Sequence, residues 1–285
     1  KAHMEHCITY PELWRALLPR YDDREAKAVV RTLLEEQFGL TLTDIVCGGI
    51  DRLDTQQREV LQQMMARLGR GEPIQYVLGH APFCGRHFKV GPEVLIPRPE
   101  TQQLAAMAVE AARQTAHPAV LDIGTGSGCL AISIALDAPQ SSVTAWDISP
   151  RALQTARDNA EQLHATVDFR LQDALHPPME DTPRWDIIVS NPPYVMEKER
   201  AEMADNVLGQ EPELALFVPD DDPLRFYRAI ARYGRHALRH GGTLLFEINP
   251  LLANAMQRLL KEEGYHDIAL TTDESDKERF TTATI

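Results

Sequence analysis

Over roughly the first 70 residues, apolar positions recur at helical spacing. "LWRALL" (13–18), "AKAVVRTLLEEQF" (26–38) and the set Val60, Leu61, Met64 and Leu68 each mark one face of a helix. Each run follows a polar residue with Glu or Gln three positions on: Thr9 with Glu12, Asp22 with Glu25, Asp54 with Gln57. At that spacing, two side chains can each accept the other residue's backbone N–H at a helix start. Gly39 and Gly69 close the second and third runs, so a small helical bundle is predicted over residues 1–70.

Residues 71–98 change character. "PIQYVLG", "HFKV" and "VLIPRP" are short, apolar and broken by Gly and Pro, which predicts a β-hairpin or extended linker. A helix is expected from about Glu100 to Thr115. From Ala119 onward, strand patterns ("AVLDI", "SVTAWD", "TVDFRL", "WDIIVS", "TLLFEI", "DIALT") alternate with helical ones at 129–137, 150–163, 224–239 and 251–263. That alternation predicts an α/β domain over 99–285, with a mostly parallel sheet and helices on both faces. Ligands of such sheets bind beyond the carboxyl ends of the strands.

Composition adds few constraints. The 285 residues suffice for one large domain and a small one, and 44% hydrophobic with 25% charged residues is globular. The net charge of −13, concentrated after residue 75, argues against direct nucleic-acid binding, which needs clustered Lys and Arg. It suits a basic macromolecular partner, or simply a solvated acidic surface. Cys7, Cys47, Cys84 and Cys129 include no C-x-x-C pair and read as free thiols of a reducing compartment. No apolar run approaches about 18–20 residues, and no signal peptide is read, so a cytoplasmic protein is expected. "KAH" before Met4 reads as a tag remnant. No metal site is indicated; His236 and His240 read as a solvated or partly buried pair on a helix.

The chemistry begins at "LDIGTGSGCL" (121–130), where the first strand of the alternating region turns into its helix. Gly124, Gly126 and Gly128 permit a tight turn and close approach of backbone to a ligand. A dinucleotide fingerprint G-x-G-x-x-G would need glycine where Cys129 stands, and no Lys-Ser/Thr follows for a triphosphate. The next two strands end in Asp147 and Asp173. An acidic residue at the tip of the second strand is placed to accept from ribose hydroxyls, and one at the third from an adenine amino group. A lone Asp at a strand end more often makes a turn or cap. Three such features in order favour an adenosyl cofactor.

"LDIGTGSGCLA", "AWDIS", "LQDAL" and "SNPPY" (190–194) resemble the successive motifs of class I S-adenosylmethionine-dependent methyltransferases. With "GEPIQYVLG", "FCGRHFKV", "VLIPRPET" and "QEPELAL" (210–216), the chain resembles the HemK/PrmC family of peptide-chain-release-factor glutamine methyltransferases from about residue 71 to its end. It departs at Gln102, where the family often has an acidic residue, at Ala174, often bulky, and in "DESDKERF", which lacks the usual glycine. The resemblance implies a seven-stranded Rossmann-like sheet, S-adenosylmethionine as cofactor and S-adenosylhomocysteine as product. It implies a release factor as protein substrate, methylated on the glutamine of its Gly-Gly-Gln motif by a monomeric enzyme. By the same resemblance, Gly124, Thr125, Gly126, Ser127 and Gly128 would take the methionine end of the cofactor. Asp147 would take its ribose, Asp173 and Ala174 its adenine, and Asn191 would sit where the methyl is transferred.

An amide nitrogen delocalises its lone pair and attacks poorly, so the site must position it. The Asn191 side-chain oxygen and the Pro192 carbonyl are the two acceptors for its N–H groups. Pro192 and Pro193 keep the loop rigid, and Tyr194 is expected to pack against the planar amide. Residues 97–101, "PRPET", would either line the pocket or dock the linker, and the N-terminal helices would recognise the protein substrate. An exocyclic adenine amine needs the same two acceptors, so DNA or RNA methylation is one alternative. A noncatalytic docking module on the same fold is another.

Overall fold

The computed structural model describes residues 8–178, 182–203 and 208–285; Cys7 and the expected tag remnant lie outside them. The chain divides into a smaller unit, of residues up to His80 with the short stretch 208–210, and a larger one of Ala81–Met203 with Glu211–Ile285.

The smaller unit holds α1 (Tyr10–Arg15), α2 (Asp23–Phe38), α3 (Leu42–Val46), α4 (Thr55–Gly69) and α5 (Ile74–Leu78). The Thr9–Glu12 and Asp54–Gln57 pairs close as reciprocal caps, while Asp22 accepts from the Glu25 N–H at 2.8 Å. A further reciprocal cap, Thr41 with Asp44, starts α3, which the periodicity did not reveal. Leu17, Val30, Leu33, Leu34, Leu61 and Leu68 are almost wholly buried in one cluster formed by residues up to Leu78.

The expected hairpin forms, but not from all three segments. "PIQYVLG" is helix α5: Pro73 presets its start, Gly79 ends it at φ 80°, and Tyr76 and Val77 are buried. The hairpin is β1 (His80–Phe83) with β2 (Arg86–Lys89), joined through Cys84 and Gly85, both at positive φ (47° and 72°). Positive φ at both turn residues matches the twist of the strands. Cys84, buried Cys129 and exposed Cys47 are free thiols.

The larger unit continues with α6 (Thr101–Arg113), β3 (Ala119–Ile123), α7 (Cys129–Asp137), β4 (Ser142–Asp147), α8 (Pro150–Gln162), β5 (Asp168–Leu171) and β6 (Trp185–Ser190). A two-residue pair follows, β7 (Val195–Met196) with β8 (Phe217–Val218), then α9 (Arg225–Ala237), β9 (Leu238–Glu247), α10 (Ala253–Glu262), β10 (His266–Thr272) and β11 (Glu278–Thr284). The main sheet has seven strands in the order β10-β11-β9-β6-β3-β4-β5. Only β11 runs against the others, slotted between β9 and β10. It is the strand that the alternation missed: "ERFTTAT" carries little apolar contrast, although Phe280 and Ala283 are buried.

Alternation along the strands divides the core. Val120, Ile187, Val189 and Leu245 face a cluster with residues of α6 and α7; Leu121, Ile123, Ile188, Leu244 and Phe246 face one with residues of α9 and α10. Both faces are therefore covered, as a parallel sheet requires. Because α9 ends at Ala237, His240 lies in β9 and the expected helical histidine pair does not exist; both residues are exposed. Among the described residues, no helix is long and apolar enough to cross a membrane.

Candidate active site

β3, β4, β5 and β6 run parallel and deliver their carboxyl ends to one side of the sheet. The chain winds outward from β3 through β4 to β5, then returns to lay β6 on the other side of β3. Such a reversal leaves a crevice between the two loops that diverge from it. A cavity of about 230 Å³ lies here, with Gly124, Gly126, Asp147, Asp173, Asn191 and Pro192 in its wall, and Ala174 and Pro193 beside them. The Ser190 hydroxyl donates to the Ile123 carbonyl at 2.6 Å, tying the start of the Asn191 loop to the start of the glycine loop.

The three glycines do two different jobs. Gly124 and Gly126 adopt φ of +77° and +55°, line the cavity, and have open space where a Cβ would stand. They form a cradle. Gly128, at φ +82°, does not line the cavity; a Cβ there would meet Ile132 Cδ1 at 2.9 Å and Ala156 Cβ at 3.1 Å. It lets α7 pack against α8. Gly128→Ala should therefore cost about 1–3 kcal/mol through overpacking and backbone strain, read as a lower melting temperature. An unchanged melting curve would show that the two helices can separate freely.

Thr125 and Ser127 are buried and do not line the cavity. The Thr125 hydroxyl donates to Asp122 Oδ2 at 2.7 Å, and burial pushes the Asp122 carboxyl up to about 7 despite that bond. Asn159 of α8, fully buried, donates to the Ser127 carbonyl (2.9 Å) and to the Lys89 carbonyl (3.0 Å), and accepts from the Lys89 N–H. It pins the glycine loop to the end of β2.

Asp147 accepts from the Gly126 N–H through Oδ2 (2.8 Å) and from the Ser149 N–H through Oδ1 (2.9 Å). Each oxygen keeps a further lone pair for a ligand hydroxyl. Burial raises this carboxyl, and the Ser149, Gly126 and Ile148 N–H groups oppose the shift. Asp173 is more committed: it accepts from the Leu175 N–H (2.8 Å) and pairs with His176 Nδ1 (2.7 Å), so it shapes its loop as well as the cavity wall.

Asn191 Nδ2 donates to Thr101 Oγ1 at 3.3 Å, and Thr101 Oγ1 donates to Glu247 Oε2 at 2.7 Å. Tyr194 does not line the cavity; its hydroxyl donates to the other Glu247 oxygen at 2.9 Å. That bond turns the ring toward β9, so the expected packing of Tyr194 on a substrate amide is not what its contacts show. Burial raises the Glu247 carboxyl, opposed by the Thr101 and Tyr194 hydroxyls and by Arg279. Glu211, also buried, accepts from the Ile96 N–H (3.0 Å) and from Arg98 (2.6 Å). It straps "VLIPRP" to the segment whose Pro212, Leu214 and Ala215 complete the cavity wall. Gln102, one of the departures, accepts from the Cys84 N–H at 2.9 Å through its carbonyl oxygen, a bond that a carboxylate can equally make.

Sequence reasoning missed Glu247, Asn159 and the Glu211 strap. The only local sign of Glu247 is a carboxylate ending the apolar run "TLLF".

Residues 100–214 match the methyltransferase small domain and residues 12–79 the PrmC N-terminal domain. A solved methyltransferase from Pyrococcus furiosus shares the fold, at a TM-score of 0.51 and 16% identity, over 78% of this chain and 98% of that one. A release factor glutamine methyltransferase from Flavobacterium psychrophilum is 38% identical over 91% of this chain and 92% of its own length. The protein of the same name from Bacteroides thetaiotaomicron is 47% identical over 92% of this chain and 94% of its own. With that identity sustained across nearly the whole of both proteins, the chain belongs to the release factor glutamine methyltransferase family.

Proposed function

We propose that this protein transfers the methyl group of S-adenosylmethionine to the side-chain amide nitrogen of the glutamine in the Gly-Gly-Gln motif of a peptide chain release factor. The observation that carries the reading is that Asn191 shares one cavity wall with Gly124, Gly126 and Asp147, in a member of this family. The residues present fit the cofactor: Gly124 and Gly126 leave room against bare backbone, and Asp147 retains acceptor capacity. When bound, S-adenosylmethionine supplies an electrophilic methyl group on a sulfonium. Gly124 and Gly126 would hold its methionine end, Asp147 its ribose, and Asp173 and Ala174 its adenine.

The chain's own part is to position a poor nucleophile. The Asn191 carbonyl oxygen accepts one N–H of the substrate amide and the Pro192 carbonyl accepts the other. Two acceptors hold the nitrogen in place and stabilise the positive charge that builds on it. Labelled methyl should enter a bacterial-type release factor and not its Gln→Glu form, which lacks the amide nitrogen. Equal labelling of the Glu form, or labelling of DNA in its place, would sink the reading. On this reading the enzyme acts in the cytoplasm, as a monomer and without direct nucleic-acid contact.

We further infer that the N-terminal helical unit recognises the release factor. Its core is its own, formed by residues up to Leu78, and it contributes none of the cavity-lining residues. A chain beginning at Ala81 should bind S-adenosylmethionine within a few-fold of the full chain yet methylate release factor poorly. Full activity of that shortened chain would remove the recognition role.

A further inference from the structure

We infer that Glu247 and Thr101 set the polarity of the Asn191 carboxamide, and so decide which of its ends meets the acceptor nitrogen. The inference rests on the methyl transfer proposed above.

The two ends of a carboxamide are nearly the same size. A half-turn of the terminal torsion exchanges an acceptor for a pair of donors at almost no steric cost. At Asn191 the exchange decides function, because a primary amide brings N–H groups to the site. Met by the Asn191 NH₂, those groups face donors and are pushed away; met by the oxygen, they are held.

The structure contains a device that removes the ambiguity. Glu247 ends β9 with only 1% of its surface exposed. A carboxylate only accepts, so the Thr101 hydroxyl must give it its one hydrogen, at 2.7 Å. Thr101 then offers Asn191 a lone pair and nothing else. The Asn191 NH₂ is the end that can use that lone pair, at 3.3 Å, which leaves the carbonyl end for the cavity. Tyr194 occupies the second Glu247 oxygen at 2.9 Å, and Arg279 and Glu100 are the charged groups that act on the carboxylate. Neither Thr101 nor Glu247 lines the cavity, so neither is a catalytic residue. They are positioning residues acting through Asn191.

Thr101→Val keeps the shape and removes the hydroxyl, whereas Thr101→Ser keeps the hydroxyl. Both, with Asn191→Ala, should be assayed on intact release factor alongside calorimetric titration with S-adenosylmethionine. One ordinary hydrogen bond biases a two-state equilibrium by about tenfold, so removing it takes the productive orientation from about nine-tenths to about half, and reversing it takes that orientation to about one-tenth. Thr101→Val should thus lose about half of kcat and Glu247→Gln, which reverses the bias, about tenfold, with KM for release factor and Kd for S-adenosylmethionine unchanged. Thr101→Ser should keep the wild-type value of all three. Wild-type kcat in a folded Thr101→Val, where Asn191→Ala is inactive, overturns the relay alone. Wild-type kcat in Asn191→Ala overturns the reading of Asn191 and the relay with it. If Thr101→Val does not fold, Glu247→Gln takes its place: its amide can donate to Thr101 and free that hydroxyl to point at the Asn191 oxygen. A loss of kcat at unchanged Kd supports the relay, and an unchanged kcat refutes it.

Discussion

Asn191→Ala should be nearly inactive on release factor, with a rate lower by about 10²–10³, while melting normally and binding S-adenosylmethionine within a few-fold of wild type. The side chain is half-buried, and its one donated bond, to Thr101, is long at 3.3 Å, so its loss costs the fold little. What disappears is an acceptor aimed at a developing charge, and the substrate amide keeps one unpaired N–H. Asn191→Asp sharpens the test. It keeps an acceptor of the same length, but it gives the Thr101 lone pair no N–H to receive. It also adds a second carboxylate one hydroxyl away from Glu247. It should therefore be impaired as well, although it is the smallest possible change. Single-turnover transfer of labelled methyl, with a melting curve and calorimetry on the same samples, separates these effects. A wild-type rate in Asn191→Ala would make the N-P-P-Y loop structural.

Asp147→Ala should weaken S-adenosylmethionine binding by at least tenfold, as expected from losing charged hydrogen bonds of about 1.5–3 kcal/mol. The geometry adds a second cause to the loss of the ribose acceptor. Asp147 already holds the Gly126 and Ser149 N–H groups, so the alanine variant also frees the cradle to change shape. Asp147→Asn distinguishes the two causes. Its single carbonyl can serve one of those N–H groups, while its NH₂ is turned toward the other as a donor facing a donor. If loop order matters, the asparagine variant should bind little better than the alanine one. If only the ribose acceptor matters, it should recover much of the affinity. An unchanged Kd in a folded Asp147→Ala would remove the residue from the cofactor site.

Much of this protein is legible from short-range pattern. The capped helices before residue 70, the turn from β3 into α7 at Gly124–Gly128, and the loop at Asn191 are all signalled by residues within a few positions of one another. Side-chain caps reach three residues, and left-handed glycines act at their own φ. The same locality explains the failures. Helix α5 is five residues long, too short for its period to separate it from a strand, and only Pro73 and Gly79 mark its ends. Strand β11 has threonines at three of its seven positions and is held in place by β9 and β10 rather than by contrast along its own length.

The sequence by itself determined where to look for the site, since a glycine cradle, an acidic strand end and a rigid amide-bearing loop are each written in consecutive residues. Only the tertiary structure decided which distant side chains meet them. Thr101 lies 90 residues from Asn191 and 146 from Glu247, and Arg98 lies 113 from Glu211. These pairs meet because β9 lies beside β6, which places Glu247 next to the loop that leaves Ser190, and because α6 begins above both. Strand order and register are settled by the packing of two buried faces, and no local run of residues states which distant hydroxyl will find which carboxylate.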